Sequence, residues 1–121
     1  MRLLRAENHA RGTVLGTRIG LADGWWGRLR GLLGRERLEP GEGLLLRPCR
    51  AVHMLGMRLR LDIAFLDPAG RVVAVYPGLE PGGRTRWHAA ARDALELPAG
   101  TLAASGTREG DTIVCTVEES A

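Results

Sequence analysis

Lysine is missing from this chain altogether: all 17 basic residues are arginine. That excludes Schiff-base chemistry, a phosphate-loop lysine and a lysine general base. Cysteine occurs only as Cys49 and Cys115, too few for a disulfide framework, and nothing else points to an oxidising compartment. Aromatic residues are equally sparse: Trp25, Trp26, Phe65, Tyr76 and Trp87 are the whole supply for stacking on a base. With the arginines scattered along the chain and a net charge of only +3, nucleic acid is not an expected partner. No apolar run approaches a membrane span, and the opening MRLLRAENHARG lacks the core of a signal peptide. A soluble, cytoplasmic protein without a membrane partner is therefore expected.

What is present suits a small β protein. The 121 residues, 45% apolar and 26% charged, make one domain that buries roughly two-thirds of the surface its unfolded chain exposes. The 17 glycines fit frequent turns better than helices. Residues 1–20 read as two strands around a turn at His9-Ala10-Arg11-Gly12. Asp23 to Gly34 is the one clear helix: Asp23 serves as N-cap, Trp26, Leu29 and Leu33 form an apolar face, and Gly34 is the stop. Leu44-Leu45-Leu46 is a buried run after a turn.

The stretch from Pro48 to Gly70 holds most of the unusual residues. From Met57 it alternates cleanly, with Met57, Leu59, Leu61, Ile63 and Phe65 on one side and Arg58, Arg60, Asp62, Ala64 and Leu66 on the other. Asp67-Pro68-Ala69-Gly70 fits a hairpin turn, and Arg71 to Tyr76 is the return strand. Pro77 to Arg86 reads as a loop rich in glycine and proline. Asp93 to Leu97 is a strand stopped by Pro98, residues 99–106 hold one helical turn, and Thr112 to Glu118 alternates with Ile113, Cys115 and Val117 on one face. Many short strands with few helices predict a β-sandwich or barrel.

Several ordered pieces resemble one known family. They are Arg30-Gly31-Leu32-Leu33-Gly34-Arg35, Pro48-Cys49 with Val52-His53 and Gly56-Met57-Arg58, and Leu61-Asp62-Ile63-Ala64-Phe65-Leu66-Asp67. Leu95-Glu96-Leu97-Pro98-Ala99-Gly100 and Gly110-Asp111 follow in the same order. The set resembles the bacterial and archaeal domain-of-unknown-function family numbered one hundred and ninety-two. The resemblance implies a mainly β, jelly-roll-like fold with one or two short helices, and no particular activity. Where many relatives carry a polar Asn-Thr pair, Arg58-Leu59-Arg60 stands here.

The chemistry rests on few side chains. His53 and Asp62 are the candidate catalytic residues, as a general base beside a carboxylate. The alternatives are a core histidine bonded to backbone, and an aspartate that pairs with Arg58 or Arg60 or caps a loop. Cys49 and His53, with Cys115, form a weak metal-ligand set, since zinc sites show tighter spacings; no cofactor is expected. Met57 continues the apolar stripe. Glu96 suits a carboxylate satisfied by backbone donors, and Asp111 a turn contact. The leading reading is a non-enzymatic ligand-binding or accessory domain in which His53, Met57, Arg58, Asp62 and Glu96 line a concave site. A small ligand or a protein segment would occupy it. The alternative is a small hydrolase or metal-dependent enzyme using His53 and Asp62.

Overall fold

The computed structural model describes residues 2–23 and 36–117. The helix expected over Asp23 to Gly34 falls on 24–34, outside those residues; Asp23 itself is the last residue of a strand. The elements are β1 (Leu3–Asn8), β2 (Thr13–Asp23), β3 (Glu42–Arg47), β4 (Leu61–Leu66), β5 (Val72–Leu79), β6 (Asp93–Pro98), the short helix α1 (Thr101–Ser105) and β7 (Ile113–Val117). The mainly β class is as the composition indicates.

All seven strands join one sheet in the order β5-β4-β6-β3-β2-β1-β7. Neighbours pair antiparallel except β2 and β3, which run parallel. The sheet curls into a half-barrel because its two edge strands come together at one end. There Arg71, just before β5, bridges Thr112, just before β7. Gly70 sits at this seam with φ 84° and its carbonyl accepts from the Ile113 amide at 2.8 Å. A side chain at Gly70 would run into the Ile113 carbonyl oxygen. Only glycine tolerates both the left-handed backbone and that approach.

Two apolar clusters lie on opposite faces of the sheet. The inner one draws Leu4, Ile19, Leu45, Leu66, Val72, Leu95 and Ile113 from the seven strands, with Leu102 of α1 inserted. The outer one lies mainly on the β5-β4-β6-β3 half and includes Ala22 of β2, with Leu44, Leu46, Ile63, Phe65 and Ala94 beneath Val52, Met54 and Leu59. Strand β4 is buried at all six positions because both of its faces are covered. The covering layer is a ribbon of two antiparallel loops: Met54 N donates to the Gly83 carbonyl at 2.7 Å, Thr85 N to Val52 at 2.9 Å and His88 N to Arg50 at 2.8 Å.

Two expected boundaries move. Met57 to Arg60 is not strand; β4 begins at Leu61, while Leu59 and Met57 still pack on the outer cluster from the covering loop. Strand β5 runs through Pro77 and Gly78 to Leu79 rather than ending at Tyr76. Proline is tolerated there because β5 is an edge strand, whose outer side needs no ladder donor.

Candidate functional site

Asp62 and Glu96 look alike in the sequence, as single acids inside apolar strands, and the sheet treats them in opposite ways. Asp62 is opposite Leu97 and points with it to the inner face. It is 1% exposed, and both of its carboxylate oxygens are used. Oδ1 accepts from the Gly78 amide at 2.8 Å, and Oδ2 from Gly100 at 3.1 Å and Leu102 at 2.8 Å. Gly100, the N-cap residue before helix α1, has no side chain to cap it; Asp62 supplies the missing acceptor from another strand. It thereby ties β5 to α1 across the end of the seam away from Gly70. Asp62 is a loop and helix cap, with no ion pair to Arg58 or Arg60: those pair with Glu36 and Glu80 at 3.0 Å each.

Glu96 is opposite Ile63 on one side and Leu44 on the other, so it points to the outer face. The cross-strand row there reads Tyr76, Ile63, Glu96, Leu44. Glu96 is 6% exposed. Among the described residues no hydrogen bond or ion pair meets its carboxylate, which differs from the backbone satisfaction expected of it. Burial among apolar neighbours pushes its carboxyl up to about 7, because desolvation penalises the charged form. Asp62 and Glu96 therefore lie on opposite faces of the sheet and do not form a carboxylate pair.

The other buried acids have cations at hand. Asp93 takes Arg47 through two hydrogen bonds at 2.8 and 2.9 Å, with Arg92 also on it. Asp111 takes Arg11 at 3.1 and 3.2 Å, Asn8 at 3.0 Å and the Arg108 amide at 3.1 Å. These bonds, Arg11 first, hold its carboxyl down at about 2. The Asn8 amide also reaches Thr107 at 3.0 Å, closing the barrel end around a buried polar knot.

His53 sits on the covering ribbon, opposite Arg84 and exposed. It is neither a core histidine nor hydrogen-bonded to Asp62, whose two oxygens are taken by backbone amides. Arg58 is exposed on the same layer and Met57 is half-buried against the outer cluster. Four of the expected binding residues, His53, Met57, Arg58 and Glu96, thus belong to the outer layer and the face beneath it; Asp62 does not. The Cys49 thiol donates to the Ala51 carbonyl at 3.2 Å. Cys115 packs on the inner cluster, where burial pushes its thiol up to about 11. Among the described residues no three His, Cys, Asp or Glu side chains gather as a metal site.

One contact escaped the sequence reading. The Tyr76 hydroxyl and His88 Nε2 are 2.6 Å apart, and both rings pack on Phe65. Tyr76 lies on the outer-facing alternate of the hairpin. His88 comes from a loop whose docking no local spacing announces.

Fold and site together define a small β half-barrel domain with a loop ribbon laid over one outer face and, on that face, a buried carboxyl with no partner among the described residues. The chain belongs to the DUF192 family, described as "Uncharacterized ACR", whose model matches residues 6–115. It is similar to a crystallised protein of unknown function from Novosphingobium aromaticivorans, at 23% identity and TM-score 0.78, covering 92% of this chain and 82% of that one. It is also similar to a "putative transcription regulator" from Sinorhizobium meliloti, at 25% identity and TM-score 0.74, covering 93% and 91%. Among curated proteins, none matches. No helix among the described residues is long and apolar enough to cross a membrane.

Proposed function

We propose that the chain is a non-enzymatic ligand-binding domain whose site is the outer sheet face around Glu96, under the loop that carries His53, Met57 and Arg58. One observation carries the reading: Glu96 stands in an apolar cross-strand row with no cation or donor among the described residues. Asp62, Asp93 and Asp111 each return their desolvation cost as hydrogen bonds, and Glu96 does not. A carboxyl only 6% exposed, with no protein partner among the described residues, is a candidate binding group. Its natural complement is a ligand with an ammonium, guanidinium or amide N–H on an apolar body, which would give the carboxylate a hydrogen bond. A cytoplasmic setting accords with a chain that has only two cysteines.

The test is thermal unfolding of wild type and Glu96→Gln at pH 8 with n-butylamine or agmatine as probes. Either probe should raise the wild-type midpoint by a few degrees at concentrations well above its dissociation constant, and leave the variant unmoved. Equal shifts, or none, in both proteins would overturn the assignment of the site to Glu96.

A further inference from the structure

Three of the arginines that look scattered in the sequence come together in the fold. The covering ribbon zips 49–54 against 82–88, and this brings Arg50, Arg84 and Arg86 onto one layer with His53, which bridges Arg84 directly. All four are exposed. Residues 49–55 and 82–92 contain no Asp or Glu, and among the described residues no carboxylate pairs with Arg50, Arg84 or Arg86. Arg92, at the ribbon's end, is matched by Asp93. Elsewhere the surface arginines Arg5, Arg37, Arg58 and Arg60 each face a glutamate. Arg2, Arg18, Arg71 and Arg108 also lack a carboxylate partner among the described residues, but the ribbon holds three unpaired arginines together on one layer.

The same layer presents an aromatic ring to solvent. His88 turns inward to Tyr76 and Phe65, and its neighbour Trp87 turns outward, 69% exposed. An indole left in water has given up a large burial gain. Next to Arg86 in the chain, it offers a planar apolar face to solvent. A ligand that answers both carries spaced negative charges and unstacked flat rings.

We propose that this ribbon binds single-stranded nucleic acid, with Arg50, Arg84 and Arg86 on backbone phosphates and Trp87 stacked on a base. Duplex DNA would match the charges but offers no free base face to Trp87. The site lies on the solvent side of the ribbon and Glu96 on the sheet beneath, so the two assignments stand or fall separately.

The test is fluorescence anisotropy of a labelled twenty-residue oligothymidylate titrated with the full chain between 50 and 200 mM salt. With about three phosphate contacts, the log–log salt slope should be roughly −2. Arg84→Gln/Arg86→Gln keeps the side-chain stems and leaves one phosphate contact, so the slope should flatten to about −0.7, with binding weakened at least about tenfold at 50 mM salt. Trp87→Ala should weaken binding about tenfold with the slope unchanged. Arg18→Ala, away from the ribbon, should bind as wild type does. No binding at 50 mM salt overturns the proposal, as does an equal loss in Arg18→Ala. Poly-L-glutamate binding as tightly as the oligonucleotide, with Trp87→Ala affecting neither, would assign the ribbon to acidic proteins instead.

Discussion

The Oδ2 atom of Asp62 lies 2.8 Å from the amide nitrogen of Leu102, 40 positions further along the chain. One carboxylate on a central strand thereby caps a helix of five residues and, through Gly78, holds the edge strand beside it.

Asp62→Asn keeps the shape but replaces one acceptor oxygen with a donor that faces amide N–H groups. The expected cost is about 2 to 3 kcal/mol, as for a buried hydrogen bond to a charged group. It is read as a lower midpoint in urea unfolding. His53→Ala, on the exposed ribbon, should stay within about 0.5 kcal/mol of wild type. A destabilised His53→Ala beside an unchanged Asp62→Asn would contradict the placement of both residues.

Glu96 predicts an unusual response to neutral pH. Its folded-state carboxyl titrates at about 7, above the ordinary carboxylate value, so the folded chain holds this proton more tightly than the unfolded chain. Stability from this group is fully present below about pH 4 and is lost as pH rises towards 7, by about 3 kcal/mol over the window. Glu96→Gln should remove that part of the pH dependence and be more stable than wild type at pH 8. Urea midpoints at pH 5, 6, 7 and 8 decide it.

Asp111 predicts the opposite sign in acid. Its folded-state carboxyl lies at about 2, lowered by Arg11 and then Asn8. The stability it supplies is present above the ordinary aspartate value, near pH 4, and is lost as pH falls towards 2. Arg11→Ala should be less stable than wild type at pH 5, and its stability should fall less steeply between pH 4 and 2. Chemical denaturation at pH 2.5, 4 and 5 compares the two slopes.

Gly70→Ala tests the seam. The substitution strains a backbone at φ 84° and drives a methyl group into the Ile113 carbonyl oxygen. The loss should exceed about 2 kcal/mol. Amide hydrogen exchange should show lost protection at Val72 and Ile113, whose N–H groups bond across the seam.

The parts of the fold legible in the sequence are those set by local chemistry. Asp67 Oδ1 accepts from the amides of Ala69 and Arg71, and Gly70 supplies the positive φ, so the β4–β5 hairpin follows from four adjacent residues. The end of β6 at Pro98 is equally local, whereas helix α1 takes its cap from Asp62, 40 positions before Leu102. The site was less legible because its meaning depends on which sheet face a residue takes. Asp62 and Glu96 both interrupt apolar strands, but their register, Asp62 with Leu97 and Glu96 with Ile63, separates them. Met57 looked like the start of a strand because a covering loop that buries alternate side chains imitates strand periodicity.

Pairing β1 with β7 also has a bearing on how the chain acquires its structure. Leu4 is opposite Val117, and the Asn8 side chain reaches Thr107, 99 residues away. Contacts of such sequence separation make folding slow, because a large loop must close before they form. During synthesis β1 is made well before β7, yet the edge that pairs with β7 has no partner until that strand emerges. An open strand edge is a template for pairing with another chain. The interval before β7 arrives is therefore when this small protein is most exposed to aggregation.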